Sequence, residues 1–468
     1  MARASTCMVS RRAVTTLSAV VLAAAGCLPG EIADFSAQAS TRVVHPSSAF
    51  EANSGFGRVL AGVYGVTADG THASRLSVTG GSGTPFASYA IETGGDFKLG
   101  SELFHGCSTP ASGCPVDFGA TAVGLTSFGA EHLCTAFGAP ASDELDIACE
   151  SDLGTIQALH VAPGTSTQLG QALADLPTTS PWGVALVGAP GASAIYVLAP
   201  DTSLNLLPLP ASLEGATVGI GEVLAAAPLP ESASNGLTEA VLVVTRLPSV
   251  SRLLMLAVGI DPSVGSLASL RLGCVDGVEG ELTVAAGDVT ADGVPEVFFS
   301  TATAPTFAHL DVRQLDVTTL FRESDCLDPG TADDPVTTKV ICPDLDPSVA
   351  CAGFGETLAT GDLDADGNQE LLVGAPDSDV DGHRAAGAVY VFPGTSSGLD
   401  LAGARVLADS GPDVDARLGA ALTTVKTGLP DAAHDEVVAG APGADRVFLF
   451  LCTGIPGDSA EGNARCLP

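Results

Sequence analysis

Nine consecutive residues, Asp362-Leu363-Asp364-Ala365-Asp366-Gly367-Asn368-Gln369-Glu370, set carboxylates at loop positions 1, 3, 5 and 9 with glycine at position 6. Calcium takes roughly six to eight hard oxygen ligands, so acids clustered on a tight turn can wrap it, with the Asn368 backbone carbonyl as a further ligand. Gly367 permits the sharp bend. Without a cation, four acids this close repel one another and hold protons more tightly. An EF-hand needs a chelating glutamate at position 12 between two helices. Position 12 here is Val373, in an apolar run that reads as a strand.

The same pattern returns at Asp288-Val289-Thr290-Ala291-Asp292-Gly293-Val294-Pro295-Glu296, where Thr290 stands in place of one acid. Its lower charge predicts weaker binding, with Asp288, Thr290, Asp292, Val294 and Glu296 as the ligand set. A third acidic run, Asp377-Ser378-Asp379-Val380-Asp381-Gly382, has Ala385 at position 9 and reads as a solvated turn.

Enzyme signatures are weaker. Gly394-Thr395-Ser396-Ser397-Gly398 fits GxSxG, yet no helical pattern follows it, as a nucleophile elbow requires. The eight histidines are scattered, with no HExxH, and the chain has no phosphate loop of the GxxxxGK[ST] type. Trp182 is the single tryptophan and reads as a packed residue rather than a ligand platform. No catalytic residues are assigned, and the expectation is a protein that is not an enzyme.

The elements that must hold these loops repeat along the chain. Gly355 precedes Gly374 of a Gly-Ala-Pro by 19 residues, and Gly119 precedes Gly138 of another by the same 19. Gly170 precedes Gly188 by 18, and Gly419 precedes Gly440 by 21. Weaker units start at Gly57, at Gly221 and near Glu281, giving seven in all. Each unit alternates short runs rich in Val, Leu and Phe with Gly and Pro turns, and none sustains a helical period. A lone sheet of this kind cannot bury both faces, whereas a ring of neighbours can.

Phe354-Gly355, the acidic loop, Gly374-Ala375-Pro376 and the later Val389-Tyr390-Val391-Phe392 together resemble the FG-GAP repeat of integrin α-subunits and of many exported bacterial proteins. The resemblance implies an all-β fold, a seven-bladed β-propeller of four-stranded antiparallel blades over residues 49–468, with calcium in strand-loop-strand turns. Residues 322–351 interrupt the repeat with acids around Cys326 and Cys342, show no strand pattern, and read as an insertion between blades.

Composition agrees with an exported chain. Of 468 residues, 19 are Lys or Arg against 54 Asp or Glu, a formal charge of −35 that argues against nucleic acid as a partner. Residues 1–26 read as a signal peptide: Arg3, Arg11 and Arg12 precede an uncharged apolar stretch too short to span a bilayer. Ala24-Ala25-Gly26-Cys27 resembles the bacterial lipobox, in which the cysteine carries a diacylglycerol, although Ala24 replaces the usual leucine. An ordinary signal peptide beside an incidental Cys27 is the alternative. Residues 27–48 then form a lipid-anchored tether, with Thr41 to His45 as a ring-closing strand beside Val447 to Leu451.

Removing Cys7 and lipidating Cys27 leaves ten of the twelve cysteines and no CxxC pair, which predicts disulfides and an oxidising compartment. Cys107 with Cys114, and Cys342 with Cys351, are close enough in sequence to close small loops. The lipoprotein resemblance implies the outer membrane over the inner, because Leu28 rather than an Asp follows Cys27, with secretion as the alternative. The FG-GAP resemblance, with the absence of catalytic constellations, therefore implies an exported, lipid-anchored, Ca2+-binding module for ligand binding or adhesion, its partner a protein or glycan, touching membrane only through its lipid. The rival readings are a hydrolase or lyase on a propeller scaffold and a structural envelope protein.

Overall fold

The computed structural model describes residues 41–44, 54–66, 72–81, 84–91, 99–106, 114–115, 117–125, 133–149, 156–160, 166–176, 182–210, 219–234, 236–247, 251–275, 278, 280, 282–302, 310–316, 336–340, 342, 351–427 and 434–450. Residues 1–26, expected to be an export signal, Cys27 and most of the segment 322–351 lie outside these residues.

Among the described residues the chain is all-β, built as seven four-stranded antiparallel sheets. Sheet I comprises Val59–Val66, His72–Thr79, Phe86–Ile91 and Leu99–Gly106. Sheet II comprises Thr121–Leu125, Cys134–Ala139, Glu144–Cys149 and Ile156–His160. Sheet III comprises Leu173–Asp175, Ala185–Ala189, Ala194–Leu198 and Leu204–Leu206. Sheet IV has longer strands, Thr238–Leu247, Arg252–Asp261 and Ser266–Val275, after Leu224–Pro228. Sheet V comprises Leu282–Gly287, Glu296–Ala302, Leu310–Asp316 and Val336–Val340. Sheet VI comprises Thr357–Gly361, Glu370–Ala375, Ala388–Phe392 and Arg405–Leu407.

Sheet VII takes three strands from the end of the chain, Ala421–Thr427, His434–Ala441 and Arg446–Phe450. Its fourth is Thr41–Val44, which pairs antiparallel with Val447–Phe450. One segment corrects the sequence reading. Val336–Val340, inside the stretch expected to lack strands, is the fourth strand of sheet V, paired with Val312–Leu315. Its VTTKV sequence is β-branched at four of five positions, a signal obscured by the acids on either side.

The first strand of each sheet touches the first strands of the sheets before and after it, and the contact runs from sheet VII back to sheet I. Side chains alternate between two faces along a strand, so a strand covered on both faces is apolar throughout. Glu370–Ala375 is buried at every position. Leu371 and Val373 pack towards Phe298 of sheet V, whereas Leu372 packs with Val437 and Phe448 of sheet VII. Likewise Val241 and Val243 join the core shared with sheet III, while Leu242 and Val244 join the one shared with sheet V. Seven apolar cores result, one between each consecutive pair of sheets.

The residue before each repeat-start glycine plugs one of these cores. Phe56, Phe118, Leu169, Ile220 and Phe354 are fully buried, and Leu418 is nearly so. Each joins the core that its sheet shares with the sheet before it. The glycine that follows has a second task. Gly170 donates its N–H to the Gly188 carbonyl of its own sheet at 2.9 Å, and its carbonyl oxygen faces Gly138 of sheet II so closely that a Cβ there would collide. Gly419 repeats both contacts, with Gly440 and Gly374. The recurring 18 to 21 residues between the glycines are therefore the path of a hairpin that returns to its own starting point.

Two disulfides are described. Cys134–Cys149 joins residues directly opposite on neighbouring strands of sheet II, and Cys342–Cys351 closes a short loop before sheet VI. Cys114 and Cys274 are disulfide-bonded as well.

Candidate metal centre

The acidic loop joins the first two strands of sheet VI, leaving Gly361 and re-entering the sheet at Glu370. Leu363 is fully buried and anchors the loop, while Ala365 and Gly367 turn it through the left-handed region, with φ of 60° and 93°. Asp362, Asp364 and Glu370 converge, each offering an oxygen within 4.8 Å of the other two. Glu370 is 1% exposed. Its Oε2 accepts the Leu363 N–H at 2.7 Å, and Oε1 accepts the Gly394 N–H at 3.4 Å.

Asp366 and Asn368 sit differently. Asp366 accepts the Asn368 backbone N–H at 2.8 Å and its side-chain amide at 2.9 Å, so this carboxylate is turned to the exposed rim of the loop rather than into the three-acid cluster. The structure thus gathers three of the five residues expected to bind the ion.

Burial and mutual repulsion make these acids hold protons more tightly than free carboxylates. Burial first, then the Asp364 and Asp362 carboxylates, push Glu370 up to about 8. Asp364 is raised by burial, then by Asp366 and Asp362. Asp362 Oδ1 is buried and has no hydrogen-bond partner, whereas Oδ2 takes the Gly367 N–H at 3.3 Å. A buried carboxylate oxygen without a partner is costly in a protein of this kind unless something positive faces it. Three hard oxygens, one of them orphaned, fit calcium or magnesium and not a soft metal.

The sister loop in sheet V keeps the backbone and changes the chemistry. Ala291 and Gly293 repeat the left-handed pair, with φ of 54° and 85°. Glu296 is 7% exposed, accepts the Val289 N–H at 2.9 Å and is raised to about 7, chiefly by burial. Thr290 Oγ1 lies 3.1 Å from Glu296 Oε1 and 3.4 Å from Asp288 Oδ1, so a neutral hydroxyl occupies the position that Asp364 holds in sheet VI. Asp288 spends its oxygens on the N–H groups of Asp292 and Gly293, and Asp292 accepts the N–H of Val294. Among the described residues Asp288, Asp292 and Glu296 do not form a three-acid cluster, and the sheet VI group is the single one found.

The third acidic run is engaged in structure. Asp377 Oδ1 lies 3.1 Å from the Arg417 guanidinium, which also binds Glu356 at 3.0 Å, and Asp379 accepts the Ala385 N–H. Thr395 Oγ1 donates to the Gly398 carbonyl at 2.6 Å, closing the GxSxG segment into a turn. Trp182 donates Nε1–H to the Glu239 carbonyl at 3.2 Å and packs on the core between sheets III and IV.

The sequence reading missed the inter-sheet clamps. The residue five positions after the glycine of Gly-Ala-Pro is left-handed in three sheets: Asp143, Ser193 and Asp445. Asp143 Oδ1 accepts the N–H groups of Thr167 and Gln168, Asp445 Oδ1 those of Gly55 and Phe56, and Ser193 Oγ that of Gly219. Each clamp reaches the start of the next repeat. The recurrence of Asp or Ser at this offset is the signal that points to it.

No helix among the described residues is long and apolar enough to cross a membrane. No curated protein sequence matches the chain. Among solved structures, it is similar to hydrazine synthase of Kuenenia stuttgartiensis at 11% identity and a TM-score of 0.47, covering 88% of this chain and 99% of that one. It is also similar to a catalytically inactive virginiamycin B lyase from Staphylococcus aureus at 9% identity and a TM-score of 0.42, over 88% and 99% of the two chains. The FG-GAP repeat model matches residues 354–392, which begin at the buried Phe354 plug, contain the whole acidic loop and end with the third strand of sheet VI. The chain therefore carries an FG-GAP repeat, and the carboxylates of its candidate metal centre lie within it.

Proposed function

We propose that the seven sheets are the blades of a closed seven-bladed β-propeller, that the loop in sheet VI binds Ca2+, and that the protein works as an exported ligand-binding or adhesion module. The convergence of Asp362, Asp364 and Glu370 inside the FG-GAP repeat carries this reading. These residues would hold the ion, with Asp366 and the Asn368 carbonyl completing the set from the rim. The bound ion would supply fixed positive charge, neutralising buried carboxylates and stiffening the turn.

Export and anchoring rest on the arginine-led apolar stretch of residues 1–26, on Cys27, and on disulfides of the sort that persist outside the cytosol. The partner is a protein or glycan. A rigid frame with loops at its rims suits that role.

Isothermal titration of the chelated protein with Ca2+ tests the metal, with Asp364→Ala as the comparison. Binding to wild type and its loss in the variant are the expected results, and heat-silent wild type would overturn the reading. Radiolabelled palmitate incorporation that disappears in Cys27→Ala tests the anchor. Capture from envelope and extracellular fractions, run in calcium and in chelator, tests whether ligand binding depends on the ion.

A further inference from the structure

Both acidic loops are held at their first aspartate by a residue from the sheet that follows. Asp288 of sheet V donates its N–H to Gln369 Oε1 at 3.1 Å and accepts the Gln369 N–H on its carbonyl at 2.9 Å. Asp362 of sheet VI donates its N–H to Asp435 Oδ2 at 2.9 Å and accepts the Asp435 N–H at 2.7 Å. The two brackets have the same donors and acceptors. They differ in charge, because the neutral amide of Gln369 serves the loop with Thr290, whereas the carboxylate of Asp435 serves the loop with Asp364.

Asp435 is 7% exposed and stands immediately before Glu436 in His434–Ala441, as Gln369 stands immediately before Glu370 in Glu370–Ala375. The Lys426 ammonium, on the first strand of sheet VII, lies 3.6 Å from Asp435 Oδ2. Gln369 is itself a member of the sheet VI loop. The first aspartate of sheet V is therefore tied to the loop of sheet VI, and the first aspartate of that loop is tied to sheet VII, whose fourth strand is Thr41–Val44.

The geometry points to Asp435 as the positioning residue for the metal loop, holding the Asp362 backbone so that its side chain faces Asp364 and Glu370, and so coupling cation binding to the order of sheet VII. This rests on the calcium reading above. Asp435 bonds the peptide group of Asp362 and is not part of the three-acid cluster, so its role is to fix a ligand in place. The hydrogen-bond bracket, rather than the negative charge, carries the effect, since Gln369 makes the same bracket without charge.

Full-length wild type, Asp435→Ala, Asp435→Asn and Gln369→Ala are titrated with Ca2+ by calorimetry. Amide hydrogen exchange of sheet VII is followed with and without the ion, and chelated melting curves report folding. The expected outcome is a tenfold or greater loss of affinity in Asp435→Ala, near recovery in Asp435→Asn, and calcium-dependent protection of Arg446–Phe450 that is lost with Asp435→Ala. Equal affinity in wild type and Asp435→Ala would overturn the inference while leaving the calcium reading intact. Absence of binding in wild type would overturn the calcium reading itself. If Asp435→Ala fails to fold, Asp435→Asn decides: wild-type affinity supports the bracket, and a loss as large as that of Asp364→Ala assigns the effect to charge and refutes it.

Discussion

The carbonyl oxygen of Gly57 faces the Cα of Gly440 so closely that a Cβ on Gly440 would overlap it, which brings the start of sheet I against the end of the second strand of sheet VII. The same approach occurs at Gly138 with Gly170, Gly188 with Gly221, and Gly374 with Gly419. At Gly440 it joins segments separated by most of the chain. Backbone meets backbone here, so no side-chain rotation relieves a substitution.

Gly440→Ala is accordingly expected to destabilise the protein by about 3 kcal/mol, the upper end of the usual cost of overpacking, because backbone rather than a side-chain end is in the way. Gly411→Ala, where an added Cβ meets nothing within 4 Å, is the matched control and should leave the melting temperature within about a degree. Equal melting temperatures for the two variants would refute the close approach as the source of the glycine spacing.

Asp445→Ala removes the acceptor shared by the Gly55 and Phe56 N–H groups, both in the turn that sets the buried Phe56 plug. The expected cost is about 1–3 kcal/mol, the range for partly buried donors left without a partner. Asp143→Ala removes the equivalent clamp between sheets II and III. The two losses should add in the double variant, because the clamps share no residue. Urea titration of the four proteins measures this, and a double variant no worse than either single would mean that one clamp already governs unfolding.

The pH dependence follows from the raised acids. Glu370 at about 8 and Glu296 at about 7 both titrate above the unfolded carboxylate value of 4.5. Between those limits the native state binds more protons than the unfolded chain, so stability in chelator falls as pH rises from about 5 to 8. Bound calcium would neutralise the sheet VI acids and should flatten their share of that fall, while Asp175 of sheet III, raised to about 8 by burial, keeps its own. The Glu296 part stays with the ion present unless its own loop is filled. Melting temperatures at pH 5, 6, 7 and 8, with chelator and with calcium, test the sign. A chelated protein that gains stability across this window would contradict it.

Much of this architecture was legible in the sequence, for a physical reason. A strand sandwiched between two sheets must be apolar on both faces and must enter through glycine where backbones touch, so Phe354-Gly355 and Gly374-Ala375-Pro376 announce a unit without any long-range information. The acidic loop is local in the same sense, since Asp362 to Glu370 fold on themselves around Ala365 and Gly367. What was not legible depends on partners distant in sequence. Val336–Val340 is a strand because Leu310–Asp316 offers it an edge, and the acids around it hid the β-branched run. Asp435 and Asp445 look like ordinary surface acids until the neighbouring sheet supplies the N–H groups that they accept. The rim position of Asp366, too, follows from its pairing with the Asn368 amide, which spacing alone does not encode.

Thr290 marks the difference between the two loops. The Thr290 hydroxyl makes hydrogen bonds to Asp288 and Glu296, whereas at the corresponding place Asp364 brings charge to Asp362 and Glu370. Thr290→Asp would place a carboxylate beside the buried Glu296 and the Asp288 side chain, reproducing the sheet VI donor set at positions 1, 3, 5 and 9. The acids would repel in chelator, so the variant should melt several degrees below wild type there and recover when calcium is added. Calorimetry should show one more calcium per chain than in wild type. Unchanged stoichiometry, with the chelated protein still destabilised, would mean that the Val294 and Pro295 side of the loop cannot supply the remaining oxygens.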